Sequence, residues 1–359
     1  MTPDPAAPNR QLRFWLIGLA LFTLALWLLS SMLLPFVVGL AVAYLLDPVV
    51  DRLERCRLPR WLATTLVLLS FVVILVLMAL LLLPLVQAQV AHLIEVLPNY
   101  ATAVRERVLP MLDRLVHRLS PEDVERLRGA AGTYAGEVVG WVGRVLSGIL
   151  SGGLALFDVL SVLFITPIVA FYLMRDWDLM VAKVDGWLPL HHAATIRQQV
   201  RQVDETLAGF VRGQALVCLV LGVFYAVALS AAGLDFGLVI GLVAGLLSFI
   251  PYVGSLFGFV SSTGLALLQF DDLWRVGIVM AIFLFGQAVE GNVLTPKLVG
   301  EKVGLHAVWV IFALLAGGTL FGFVGVLLAV PVAAVIGVLT RFALGRYLES
   351  PYYRGNVPS

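Results

Sequence analysis

"SFIPYVGS", residues 248–255, interrupts an apolar run from Phe236 to Phe270, placing a proline, a glycine and hydrogen-bonding side chains where a membrane helix should be least broken. At ~1.5 Å per helical residue the whole run would span roughly 50 Å, too long for one crossing of a ~30 Å hydrocarbon layer and suited to two shorter arms. The stretch therefore reads as the tip of a helical hairpin. Pro251 and Gly254 let the chain reverse, and Ser248, Tyr252 and Ser255 offer polar groups to non-helical backbone at membrane depth. Such backbone is tolerated only against protein or a water-lined cavity, and the break is taken as evidence for a cavity.

The rest of the chain has the composition of a membrane protein, 60% hydrophobic and 13% charged, with uncharged runs such as Leu62–Leu83. The fold class is all-α, a polytopic helical membrane protein with about eight membrane segments. Two of these are broken helical hairpins of opposite entry, and an external amphipathic helical subdomain accompanies them. A net charge of +1, with arginines interleaved among acids, lacks the clustered basic excess that nucleic acid needs. Cys56 and Cys218 offer neither a disulfide framework nor metal spacing, and the adjacent His191 and His192 diverge on a helix, so a surface loop is the reading there. Leu12–Leu34 is too long for a signal-peptide core and is expected to stay as an anchor.

Charge orients the chain. Arg10, Arg13, Arg52, Arg55, Arg57, Arg60, Arg341 and Arg346 are placed in the cytoplasm by the positive-inside rule, together with both termini. Residues 1–86 form N-terminal membrane helices, in which Leu12–Leu34 and Phe36–Leu46 make a tight pair followed by an arginine-rich surface segment, "DPVVDRLERCRLPR". Residues 87–150 form the external subdomain, where Tyr100, Val104, Val108, Leu112, Leu115 and Leu119 recur at helical spacing and Ser120-Pro121-Glu122-Asp123 starts a helix. Its balanced charges read as a solvated face. Residues 151–175 cross back, residues 176–210 form cytoplasmic interfacial helices with stripes such as Trp177, Met180, Val184 and Trp187, and residues 211–346 form the core. That core holds the two broken hairpins, 236–270 and 305–340, and a cytoplasmic tail follows at 347–359. The second hairpin is broken by "AGGTLFGFVG", and Gly318–Val324, GTLFGFV, matches Gly254–Val260, GSLFGFV. Interrupted segments in matched positions point to the binding site of a secondary transporter.

Glu290 ends an otherwise apolar helix beside Gln287 and Asn292. An acid at that depth faces a cavity or a partner, so a coupling or substrate contact stands against an interfacial acid neutralised by Lys297 or Lys302. Asp158 is a second acid within an apolar segment, readable as a helix-packing group. Thr166-Pro167 reads as a kink.

"PFVVGLAVAYLLDPVVDRL", "FITPIVAFYLMRDWD", "LSFIPYVGSLFG" and above all "EGNVLTPKLVGEKVGLHAVWVIFALLAGGTLFGFVGVLLAVPVAAVI" resemble the AI-2E family of bacterial inner-membrane transporters, the PerM-like permeases, over about residues 10 to 346. The resemblance implies transport: export of autoinducer-2, a small polar metabolite, or sodium/proton antiport, with a passive channel as a further alternative. The expected path residues are Glu290, Gln287, Asn292, Pro251, Tyr252, Gly254, Ser255, Thr295, Pro296, Lys297, Gly318 and Asp158. No phosphate-cradling loop, H-E-x-x-H or nucleophile arrangement is present, so neither an ATPase nor an enzyme is expected. No cofactor and no metal are expected. The partners are a small polar metabolite or a monovalent cation and the lipid bilayer, with association into a homo-oligomer left open.

Overall fold

A computed structural model describes residues 32–103, 153–299 and 304–354, together with positions 17, 18, 21, 24, 25 and 27–29. Most of the Leu12–Leu34 segment, most of the external subdomain and Lys302 lie outside the described residues. The helices are α1 Leu33–Arg55, α2 Arg60–Ala103, α3 Gly153–Asp185, α4 Ala193–Ala231, α5 Gly237–Leu247, α6 Val253–Gln269, α7 Leu273–Val289, a π-helical segment Glu290–Val299, α8 Ala307–Glu349 and the short α9 Pro351–Arg354. No strand occurs among the described residues. Among the described residues five stretches are long and apolar enough to cross a membrane: Leu33–Arg55, Arg60–Gln89, Ala193–Ala231, Leu273–Val299 and Ala307–Glu349. Along α2 the side chains of Leu77, Leu80 and Leu81 are 61%, 62% and 70% exposed. Apolar area of that extent is unfavourable in water and at ease in lipid, so this is a multi-pass membrane protein.

The described residues fall into two compact units, one drawn from Met1–Leu68, Ser161–Arg212 and Glu301–Ser359, the other from Leu69–Leu160 and Gly213–Gly300. In the first, the segment after Leu46 begins as helix, "DPVVDRLER" continuing α1 through Pro48 to Arg55. Proline has no N–H for the carbonyl of Tyr44 four residues earlier, and Arg212 Nε of α4 donates to that oxygen at 2.9 Å. The freed acceptor is thereby satisfied and the helix runs on.

The same continuation places Asp47, Asp51 and Glu54 on one face of α1, where all three meet a single arginine. Arg60 Nη2 lies 3.3 Å from Asp47, and Nη1 lies 3.8 Å from Asp51, 3.3 Å from Glu54 and 2.6 Å from Asp178 of α3. Its Nε donates to the Met174 carbonyl at 2.9 Å, and only 17% of the side chain is exposed. Replacing Arg60 with alanine leaves four carboxylates facing one another without their shared cation. The expected cost is about 2 to 3 kcal/mol, read as a lower melting temperature in detergent, and an unchanged melt would show the cluster to be solvated enough to dispense with it.

The boundaries drawn at 175/176 and 210/211 are crossed by unbroken helices, α3 and α4. Polar residues in "MRDWD" pair rather than break the helix: Arg175 donates to both Asp176 oxygens at 2.7 and 2.8 Å. Beyond the end of α3, Arg197 of α4 donates to both Asp185 oxygens, which holds the Asp185 carboxyl below the usual carboxylate range. α8 is two arms in one. Gly322 has φ 59° and ψ −139°, a conformation open only to glycine, and the backbones of Gly317 and Gly325 close against each other. Residues 307–321 and 323–349 are therefore the arms of a hairpin.

In the second unit, α4 is the common neighbour. Gly237, Gly241 and Gly245 make a small-residue stripe on α5 that lies against Leu229, Ala226 and Gly222 of α4, so the pair runs antiparallel at close range. α7 runs antiparallel to α4 as well: Phe283 stacks on Tyr225 at 4.3 Å and Gly213 meets the backbone of Leu298 and Val299. α6 completes the layer, with Gly258 and Phe259 against Phe283.

Candidate functional site

The opening stretch forms a turn between α5 and α6. Ser248 N–H donates to the Ala244 carbonyl at 2.9 Å, Ile250 N–H to Leu247 at 3.0 Å and Val253 N–H to Ile250 at 3.2 Å, while Tyr252 takes φ 68°. The left-handed residue is thus Tyr252, not Gly254. Gly254 is helical and buried, and a Cβ on it would run into the backbone nitrogen and the hydroxyl of Ser248. Its role is close approach rather than backbone freedom.

Both serines of the stretch give their hydroxyls to backbone at the turn, the role read for them from the sequence. Ser248 Oγ donates to the Ala244 carbonyl at 2.9 Å and Ser255 Oγ to the Tyr252 carbonyl at 3.2 Å. The Ser248 carbonyl accepts from Gln214 Nε2 of α4 at 2.6 Å, a bond buried from all sides. Non-helical backbone here is satisfied by protein, the other arrangement that membrane depth permits. Pro251 is partly buried and Tyr252 is exposed. A cavity of about 390 Å³ lies elsewhere in this unit, at the root of the hairpin, lined by Gln89, His92, Ser230, Asp235 and Phe236.

Glu290 stands at the end of α7, as read from the sequence, and opens the π-helical segment that continues it. Pro296 cannot donate and removes one rung of the ladder, and Gly213 brings the α4 backbone against the segment's end. Such wide turns inside helices occur often at functional sites. Gln287 Nε2 donates to Glu290 Oε2 at 2.6 Å. Asn292 turns its Nδ2 back to the Ala288 carbonyl at 2.8 Å, and Thr295, Pro296 and Lys297 are exposed. Among the described residues Glu290 has no ion pair, Lys297 included. Its contact is an amide.

Gln287 and Glu290 are therefore brought together, with Asn292 one step along the same segment. Pro251, Tyr252, Gly254 and Ser255 gather at the hairpin tip. The two groups share α4, whose Gly213 touches the end of the π segment and whose Gln214 holds the tip. Gly318 belongs to the first unit, on the arm before Gly322 and against the Val326 side chain. Asp158 sits on α3, and its side chain lies outside the described residues.

The matched heptapeptides are not structurally equivalent. Gly258 is helical and packed on Phe283, whereas its counterpart Gly322 turns the chain. One heptapeptide follows its turn and the other contains it. Two residues not singled out in the sequence emerge here, Gln214 and Tyr225 on α4. Their signal was present: they are the two N–H- or O–H-bearing side chains in the apolar stretch "QALVCLVLGVFYAVAL".

A family profile described as AI-2E family transporter matches residues 16–345. Similar chains include YrrI of Bacillus subtilis (strain 168), named for transport, 30% identical over 321 residues that make up 87% of each chain. PerM of Escherichia coli (strain K12), named as a permease, is 29% identical over 86% of each chain. TqsA of the same strain, named as an AI-2 transport protein, is 26% identical over 88% of this chain and 87% of its own.

Proposed function

The chain belongs to the AI-2E transporter family, and from that membership we propose that it is a secondary transporter exporting a small polar metabolite such as autoinducer-2. The observation that carries the reading is Glu290, a carboxylate at the end of an apolar helix whose contact is Gln287 rather than a cation. A charge in that setting is costly, and an amide partner leaves it free to exchange a proton or cation. Gradient coupling needs such a group. The same carboxylate favours sodium/proton antiport as the second reading.

Reconstituted vesicles separate the two. Autoinducer-2 moving down an imposed proton gradient supports the metabolite reading; proton movement driven by sodium alone supports antiport. Flux of either that ignores every imposed gradient would make the protein a channel and overturn coupling.

The proposed setting is a bacterial inner membrane with both termini in the cytoplasm, supported by the arginines around Arg52–Arg60 and at Arg341 and Arg346. Cys56 is exposed and follows α1 directly. In intact cells it is expected to escape a membrane-impermeant maleimide and to react once the membrane is opened. Labelling from outside would invert the topology.

A further inference from the structure

Tyr225 is fully buried, and no group meets its hydroxyl in good hydrogen-bond geometry, the Gln287 side chain being its polar neighbour. A buried hydroxyl without a well-formed bond is unfavourable in a resting state, which suggests that another state uses it. Its direction is set by α7. The ring stacks on Phe283 with planes 15° apart, and the hydroxyl comes to rest against Gly286, where a side chain would have displaced it. Phe283, Gly286 and Glu290 follow one another along a single face of this helix, so the Tyr225 side chain points up that face toward the carboxylate. Gln287 lies within hydrogen-bonding reach of the hydroxyl but gives its Nε2 to Glu290, whose carboxylate lies beyond it within electrostatic reach. Cys218, also on α4, lies within electrostatic reach of the carboxylate as well.

We propose that Tyr225 is a positioning residue for Glu290: its hydroxyl receives the carboxylate when the carboxylate leaves Gln287, so that Glu290 alternates between two donors on two helices. The inference rests on Glu290 being the coupling group. In one arrangement the carboxylate is held by its own helix. In the other it is held by α4, the helix that also grips the hairpin tip through Gln214.

Tyr225→Phe tests this, because it keeps the ring stack and removes only the oxygen. Its melting temperature is expected to be unchanged or raised, since the lost hydroxyl makes no well-formed bond in the structure. The direct readout is labelling of Glu290 by dicyclohexylcarbodiimide, which adds to a protonated carboxyl and is quantified by mass spectrometry of the reconstituted protein. Loss of a donor to the carboxylate is expected to speed labelling severalfold. Gradient-driven flux is expected to fall about tenfold, and Tyr225→Phe combined with Glu290→Gln to transport no worse than Glu290→Gln alone. Unchanged labelling, or a melting temperature that falls in step with flux, overturns the inference and leaves the Glu290 reading standing. Altered labelling with wild-type flux in Glu290→Gln upholds the contact and overturns coupling instead.

Discussion

Glu290→Gln is expected to reach the membrane at the wild-type level and to lose gradient-coupled flux by about a hundredfold. The amide preserves the side chain's shape and can still bond Gln287, so the fold has little to lose, about 1 kcal/mol or less. What it cannot do is change charge. A contact between a charged group and its donor in a dry setting carries about 1.5 to 3 kcal/mol, which in a rate is one to two orders of magnitude. The check is flux in vesicles against the amount of protein in the bilayer, across a range of pH. Wild-type transport throughout would make Glu290 a bystander, and the exposed Lys297 could not rescue the reading, because the two are not paired.

Gly254→Val is expected to damage the fold as well as transport, by about 3 kcal/mol or more. The added Cβ meets the backbone nitrogen of Ser248 and the Ala244 carbonyl, neither of which can swing aside as a flexible side chain would. The collision also strikes the residue whose carbonyl is held by Gln214, so the turn and its grip on α4 loosen together. A low yield of folded protein in detergent is the expected outcome, with Gly254→Ala milder in the same direction. Normal folding with transport alone impaired would instead restore the view that Gly254 supplies backbone freedom to a moving tip. Tyr252, which carries the positive φ, is the comparison: a residue already strained there gains from Tyr252→Gly.

Much of the architecture was legible because it follows from solvent. Apolar runs longer than a bilayer needs, and the prolines and glycines inside them, settle the helical class and mark where helices stop, since exposed backbone in lipid has no alternative partner. The breaks at 248–255 and around Gly322 were visible on those grounds. So was Glu290, conspicuous as a charge among apolar neighbours. Helix ends were not: the helix that contains Pro48 runs on to Arg55, with Arg212, far away in the chain, taking up the carbonyl that proline leaves.

The division between the two sources of information runs along that line. The sequence by itself determined the class, the membrane setting, the family and the positions of the chain breaks, all of which depend on residue type and local spacing. Only the tertiary structure decided that Gln214 holds the Ser248 carbonyl of the tip, that Gly254 is a packing glycine, that identical glycines at Gly258 and Gly322 do different work, and that Glu290 faces an amide with a buried tyrosine hydroxyl nearby. These are pairings between residues distant in the chain. A polar group in an apolar medium takes whichever partner the packing brings within about 3 Å, and no local pattern records which helix that will be.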